Sequence, residues 1–469
     1  MLGLFGTLDL ASRSLATQQE AMTVASQNMA NVNNPAYAVE QAVIQDSAPI
    51  NTPIGEEGTG VDIAAISESR NNLLDSQIVA ENGTTSSFST QQAALQNAEA
   101  FLGEQLSSAS STSGSSATST GGLAAMLSSL FNSFSSMTTG SGNPATVVQY
   151  ARQVAGQFNQ VSASLSQVRS NLNSTIVSNV NACNQDLNQI ATLNQQILQA
   201  QAGGGNANQL VDQRQQIVEN LSNLINTSTA IESNGTMDVW AGGAAVVQGS
   251  TLIDALHVND GGNGWFYITD TGSHVQLSVT GGSIGGALST RDGALSSLQT
   301  SLDTLASQLI TQVNNTYSTG YSSSGATGQN LFTGTNAATI AVNSTLVADP
   351  SQFQGSSVAG ATGDNQIALA LANLADQTNP ALGNQSFIQY YSQTVANLGT
   401  AIQSATDQLA TSQAVSTSLT NQRSSQSGVS IDAEMTNLLQ FQKAYEASAK
   451  IVNTLDYMMD TVINMKYIS

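Results

Sequence analysis

The chain has 469 residues, a length that suits about three domains, and its 40% hydrophobic content suffices for packed cores. Its 31 acidic and 10 basic residues give a formal net charge of −21, which opposes binding to nucleic acid or to anionic membrane surfaces. No apolar run reaches the length of a membrane span, and the single cysteine, Cys183, excludes an internal disulfide and a cysteine-rich zinc site.

The N-terminus does not read as a cleavable signal, because Asp9 and Ser12 interrupt its apolar residues and no basic segment precedes them. The expectation is a cytosolic protein or one exported uncleaved. Leu8, Leu15, Met22 and Met29 recur every seven residues, with Leu4, Ala11 and Ala25 between them and one break at Gln18. A period of seven draws a narrow apolar stripe along a helix, the pattern of a coiled-coil seam. This helix is predicted from about residue 3 to Val32, where Asn33, Asn34 and Pro35 stop it. Residues 36–66 read as extended and turn structure, and a helical pattern resumes near Ser67.

Residues 107–122 lack large apolar groups and predict an exposed mobile loop, followed by a short helix over Leu123–Met137. Asn143-Pro144 then starts the longest periodic stretch, an N-cap followed by proline at the first helical position. Val154, Phe158, Val161, Leu165, Val168, Leu172 and Ile176 follow at spacings of three and four. The series continues through Val180, Cys183, Leu187, Ile190, Asn194 and Ile197. A helix of about fifty residues would be about 75 Å long, so an elongated molecule is expected. Gly203-Gly204-Gly205 ends it, and another helix is predicted from Gln209 to Asn226.

The character changes over residues 228–282. Met237–Trp240, Ala244–Val247, Trp265–Thr269 and His274–Val279 predict strands of a small inserted β domain. Helical spacing returns with Leu295, Leu298, Leu302, Leu305, Leu309 and Val313. Residues 316–366 are turn-rich, and helix resumes from Gln366 with breaks near Pro380 and at Ser424–Gly428. Ser430 is the expected cap of a last helix whose first turn carries Asp432 and Glu434. That helix has a seven-residue row of its own: Ile431, Leu438, Tyr445, Val452 and Met459. Phe441, Leu455 and Val462 form a neighbouring row, broken at Ser448.

The predicted fold class is mainly α with a small inserted β domain, an elongated bundle of long helices built from both the N- and C-terminal parts. Three units follow: residues 1–66 plus 429–469 as a terminal coiled-coil assembly domain, residues 67–227 plus 283–428 as the helical core, and residues 228–282 as a projecting β domain. The terminal stripes fit two arrangements equally, an intramolecular bundle or packing between subunits. Both histidines, His257 and His274, fall in the β region without a catalytic constellation around them. Asp260-Gly261-Gly262-Asn263-Gly264 lacks the alternating acids of a calcium loop and reads as a turn. No catalytic, cofactor-binding or metal residues are assigned, and no cofactor is expected.

Several motifs carry a family resemblance. Ala25-Ser26-Gln27-Asn28-Met29-Ala30-Asn31-Val32-Asn33 is similar to the Asn-rich end of the first helix in flagellar rod, hook and junction proteins. Gly60-Val61-Asp62-Ile63 with Arg70, Leu74 and Gln77 is similar to their next segment. Leu210-Val211-Asp212-Gln213-Arg214 resembles a segment of hook-associated proteins of the FlgK type. So do Gly281-Gly282-Ser283-Ile284-Gly285-Gly286 with Arg291-Asp292, and Asn314-Asn315 with Asn330-Leu331-Phe332. Phe441-Gln442-Lys443-Ala444-Tyr445-Glu446-Ala447 resembles the family's last helix. Ala36 and Val39 depart from it, standing where Gly and a basic residue are usual.

The resemblance implies a structural adaptor at the hook–filament junction of the bacterial flagellum, outside the cell, exported uncleaved by the flagellar type III apparatus. It implies as partners copies of the same chain, the hook protein, a second junction protein, and an export chaperone on the C-terminal segment, with no nucleic acid and no membrane insertion. The implied assembly interface is Leu8, Leu15, Met22 and Met29 with Ile431, Leu438, Phe441, Tyr445, Val452, Leu455, Met459 and Val462. The other readings are a hook, rod or flagellin-like subunit, a secreted fibre or adhesin, and a cell-wall enzyme. Asp212-Gln213-Arg214 argues against hook and rod, and the Asn-rich motif against flagellin.

Overall fold

The computed structural model describes residues 3–52, 55–102, 122–140, 142–262, 264–272, 274–361 and 363–465. Helix α1 (Leu4–Ala30) is followed by strands β1 (Glu40–Asp46), β2 (Ile50–Thr52), β3 (Gly55–Glu57) and β4 (Val61–Glu68). β1 and β4 pair antiparallel into a two-stranded ribbon with Gln41 opposite Ser67, and β2–β3 is a hairpin at its tip. Ser67 is therefore in a strand, and helix α2 (Asn72–Leu102) starts five residues later than the periodicity suggested. Pairing with β1 keeps Ser67 and Glu68 extended, and Asn71 Oδ1 then accepts the Leu74 N–H at 3.2 Å to start the helix.

The loop expected over 107–122 lies outside the described residues, save Gly122, which is buried at the start of α3 (Leu123–Thr138). The long helix, α4 (Pro144–Ala202), has 59 residues, about 88 Å at 1.5 Å per residue, longer than the fifty expected. Asn143 caps it through the Ala145 N–H at 2.9 Å. Its apolar series is buried from Val147 to Ile197, Cys183 included, and burial pushes the Cys183 thiol far above its ordinary value. Helix α5 (Asn208–Leu224) folds back along α4.

The β unit contains a four-stranded antiparallel sheet, β5 (Thr227–Ile231), β6 (Met237–Ala241), β7 (Ala244–Gln248) and β8 (Thr251–Leu252) in sequential order, and a hairpin of β9 (Leu256–Asp260) and β10 (Phe266–Asp270). The predicted strand over His274–Val279 does not form. His274 has a left-handed backbone (φ 55°) that breaks the extended run, leaving Gln276 in an isolated bridge to Thr269. Three asparagines on α4 hold the unit. Asn173 donates to the Gly264 carbonyl at 3.0 Å, and Asn184 exchanges two 2.8 Å bonds with the Leu256 backbone. Fully buried Asn194 donates to the Met237 and Gly249 carbonyls at 2.7 and 2.6 Å and accepts from the Met237 N–H.

Helix α6 (Gly282–Ser289) continues through a π turn (Thr290–Ala294) into α7 (Leu295–Tyr317). Gly286 sits where α6 crosses α2; a Cβ there would lie 2.3 Å from the Ser87 carbonyl oxygen. In the turn-rich stretch, β11 (Phe332–Thr333) pairs with β12 (Ala341–Val342), and α8 (Ser344–Ala348) follows. Asn314 pins the backbone of Leu331 and Phe332 with bonds of 2.8–3.0 Å. After α9 (Gln366–Asn373), α10 (Phe387–Ser427) starts at a capping box on Ser386 and Gln389 and runs antiparallel to α2. Thr85 meets Ser412 at 2.7 Å and Gln92 meets Thr406 at 2.9 Å. α10 extends through Ser427, past the break expected from Ser424, and α11 (Ile431–Met465) follows. Both terminal helices and the two-helix frame of α2 and α10 thus give a mostly helical chain with small antiparallel sheets.

Two substitutions test this packing. Asn194→Ala should destabilise by about 2–4 kcal/mol, since it strands the Met237 N–H and two buried carbonyls. Gly286→Ala should also destabilise, by about 1–3 kcal/mol, through the α2–α6 crossing. Guanidinium denaturation followed by circular dichroism would show both as a lower midpoint with unchanged slope.

Candidate assembly interface

α1 lies between two partners, the β1–β4 ribbon on one side and α11 on the other. The two helices run antiparallel. Ser14 and Ser448 hydroxyls meet at 3.0 Å mid-seam, and the segment after α1, Asn31–Pro35, lies beside Gly428 and Val429 before α11. Toward the ribbon, buried Thr17 donates to the Val61 carbonyl at 3.0 Å, and Arg13 pairs with Asp62 at 3.4 Å. Ser448, where the seven-residue row breaks, is thus a buried polar contact within the seam.

The stripe residues divide by burial. Leu455 is buried; Leu8, Leu15, Met22, Met29, Leu438, Phe441, Val452 and Met459 are half-buried; Ile431, Tyr445 and Val462 are exposed. On α1 the buried positions are Ala11, Thr17, Ala21, Val24, Ala25 and Asn28, a mostly small-residue face of which the period of seven had marked only Ala11 and Ala25. Small side chains let α1 approach both the ribbon and α11 closely. Beyond the seam, α11 leaves Met435 at 52%, Leu439 at 54% and Tyr457 at 77% exposure, with Ile451, Met458 and Ile463 also exposed. All six lie off both seven-residue rows. The outer surface of α11 is therefore more apolar than the stripe alone implies.

A buried polar joint anchors this pair to the body. Asn28 accepts the Tyr37 hydroxyl at 2.7 Å and the Glu40 N–H at 3.0 Å, and donates to the Glu40 carbonyl at 2.8 Å. That closes the chain reversal after α1. Val39 N–H donates to the Ser427 carbonyl at 2.8 Å, tying the turn to the end of α10. Arg70, between β4 and α2, pairs with Glu68 and Asp75 at 3.0 Å each and with Asp212 of α5, and donates to the Ala36 carbonyl at 3.1 Å. Arg423 near the end of α10 pairs with Glu219 of α5 and, at 3.5 Å, with Asp75. Burial works against the Arg70 charge, but the carboxylates of Glu68, Asp75 and Asp212 outweigh it and hold the guanidinium protonated more firmly than usual. Burial pushes the Asp212 carboxyl up to about 7 against the pull of Arg70.

The joint accounts for residues that sequence motifs marked without a role. Asp212 joins Arg70, while neighbouring Arg214 turns into the core, donating to Asn194 at 2.7 Å and the Gly235 carbonyl at 2.8 Å. Burial pulls the Arg214 guanidinium down to about 10. Arg291, carried by the π turn, reaches Asn173 at 2.8 Å and the Phe266 carbonyl at 2.6 Å beside Trp265. Sequence reasoning missed Arg423, Glu219 and Asp75. Their signal was faint: a few charged residues placed within otherwise apolar or uncharged helices.

Known proteins provide a comparison. Residues 109–332 match the family described as the flagellar hook-associated protein FlgK helical domain, and residues 420–465 match the flagellar basal body rod FlgEFG protein C-terminal family. The chain is 26% identical to flagellar hook-associated protein 1 of Bacillus subtilis (strain 168), over 99% of each chain. It is 22% identical to the Escherichia coli (strain K12) protein of that name, over 97% of this chain and 99% of that one. It shares its fold with the flagellar hook junction protein FlgK from Burkholderia pseudomallei, with a TM-score of 0.62 and 17% identity, over 75% of this chain and all of that one.

Arg70→Ala should cost about 3–5 kcal/mol, since it leaves buried carboxylates without their cation. Arg70→Lys should recover only part of that, because an ammonium cannot reproduce the planar fork. Arg13→Ala, at an exposed pair, should change stability by less than about 1 kcal/mol. Denaturation midpoints of the three variants would rank them.

Proposed function

We propose that the chain is a FlgK-type flagellar hook-associated protein, a structural and non-enzymatic component of the hook–filament junction, and that its paired terminal helices are completed by neighbouring copies. The observation that carries this reading is the apolar surface of α11 left open after pairing with α1. Each large apolar side chain on it would contribute roughly 1.5–3 kcal/mol if fully buried. Neighbours packed side by side could therefore offset the cost of fixing subunits in a wall. An intramolecular bundle alone leaves Met435, Leu439 and Tyr457 without a purpose.

The three-part division assigns a role to each unit. Residues 1–66 with 429–469 form the assembly module, residues 67–227 with 283–428 the body, and residues 228–282 an outer β unit. The rod-type match over 420–465 supports treating the assembly module as equipment shared by axial proteins, with the body specific to the junction. The hook protein on one side and a second junction protein on the other are the expected axial neighbours. An export chaperone would take the C-terminal segment before assembly, its exposed apolar face being the surface that needs cover. No helix among the described residues is long and apolar enough to cross a membrane, in keeping with export through the type III apparatus to an extracellular site.

Deleting Ile431–Ser469 should leave a folded body that is exported but does not join filament to hook. Met435→Asp with Leu439→Asp, both on the open face, should lower the number of attached filaments at least tenfold with little change in monomer melting. Electron microscopy of flagella beside thermal melts of the purified variants gives both readouts. Normal attached filaments with either variant would exclude the terminal-helix mechanism.

A further inference from the structure

The joint beneath the terminal pair holds more acid than base. From the terminal side it receives Tyr37 and Glu40 after α1, Glu68 of β4 and Glu434 of α11. From the body it receives Asp75 of α2, Asp212, Arg214 and Glu219 of α5, and Arg423 of α10, with Arg70 between the two sides. Glu40, Asp75, Asp212, Glu219 and Glu434 are all buried. Arg214 spends its donors on Asn194 and a carbonyl, so the carboxylates share two guanidiniums. One carboxylate oxygen, Glu68 Oε2, is sealed from solvent without a hydrogen-bond donor. A buried carboxylate oxygen in that position is costly when charged and is a natural seat for a proton.

We propose that the joint is a proton-responsive clamp, which takes up protons on mild acidification and then holds the terminal helix pair rigidly against the body, and loosens as the medium becomes alkaline. The geometry gives the direction. Fully ionised, the acids exceed the guanidiniums and repel one another across the boundary between the two sides. Neutralising one or two removes that repulsion while each guanidinium keeps a carboxylate. Burial raises both Glu68 and Asp212, Asp212 to about 7 from an ordinary 3.8. The folded joint therefore binds protons that the opened joint releases, and its closed form is favoured as pH falls through about 7 toward the ordinary carboxylate range.

The test uses the full chain with spin labels on Gln413→Cys in α10 and Gln440→Cys in α11, both exposed, while native Cys183 is fully buried and stays unlabelled. The label-to-label distance distribution should be at least about twofold wider at pH 8 than at about pH 5.5. Asp212→Asn, which keeps the shape of the protonated acid, should give a narrow distribution at both values. Glu68→Gln should reduce the wild-type change by about half, and gives a second reading if the Asp212 variant folds poorly. Equal widths for the wild type at both values would overturn the proposal. So would a full wild-type response in both variants.

Discussion

Arg70 is the residue on which the arrangement turns. Its guanidinium lies out of water between a strand, a helix start and α5, with carboxylates from each and the carbonyl of Ala36 from the turn after α1. A charge so placed is tolerated only with carboxylate and carbonyl partners around it, so elements far apart in sequence must arrive together. The terminal pair by itself is thin, two helices and a ribbon, and has little core to fix its angle to the body. Asp75 is shared between Arg70 and Arg423, which links the start of α2 to the end of α10. The two long chain segments that enter and leave the body are thereby held at one point.

A different polar device organises the body. α4 buries an apolar stripe over most of its length, and asparagines on its surface reach the backbone of the β unit at three levels. Each side-chain amide donates to a carbonyl, and those of Asn184 and Asn194 also accept a backbone N–H from the unit. A buried asparagine so satisfied specifies position without introducing charge. That suits a chain with 9% charged residues, whose long helices are lined mostly by Ser, Asn, Gln and Thr. Gly286 and the π turn serve the same packing, one by allowing α2 and α6 to touch, the other by carrying Arg291 into the β unit.

The terminal pair departs from the completeness of the body. Its seam contains a serine–serine contact instead of a continuous apolar row, and much of the apolar surface of α11 stays outside it. Two helices can bury only the faces they turn to each other. A longer apolar repertoire on one of them is consistent with a structure finished by other subunits, as proposed from the similarity to flagellar hook-associated proteins.

Much of this was legible in the residues. Seven-residue rows, the Asn143-Pro144 start, the triple glycine after α4 and the β-rich insert identified the helices, their order and the mainly helical class, because these signals are local and periodic. Boundaries set by pairing were not legible. Ser67 reads as helical until β1 holds it in a strand, and His274 reads as extended until its left-handed backbone is seen. The sequence by itself marked Asp212, Arg214, Arg291 and both terminal stripes as notable. Only the tertiary structure decided that Asp212 meets Arg70 across 142 positions, that Arg423 meets Glu219 across 204, and which face of α11 the seam leaves open. Periodicity shows that a helix has an apolar side, whereas burial of a charge depends on partners brought from elsewhere in the chain.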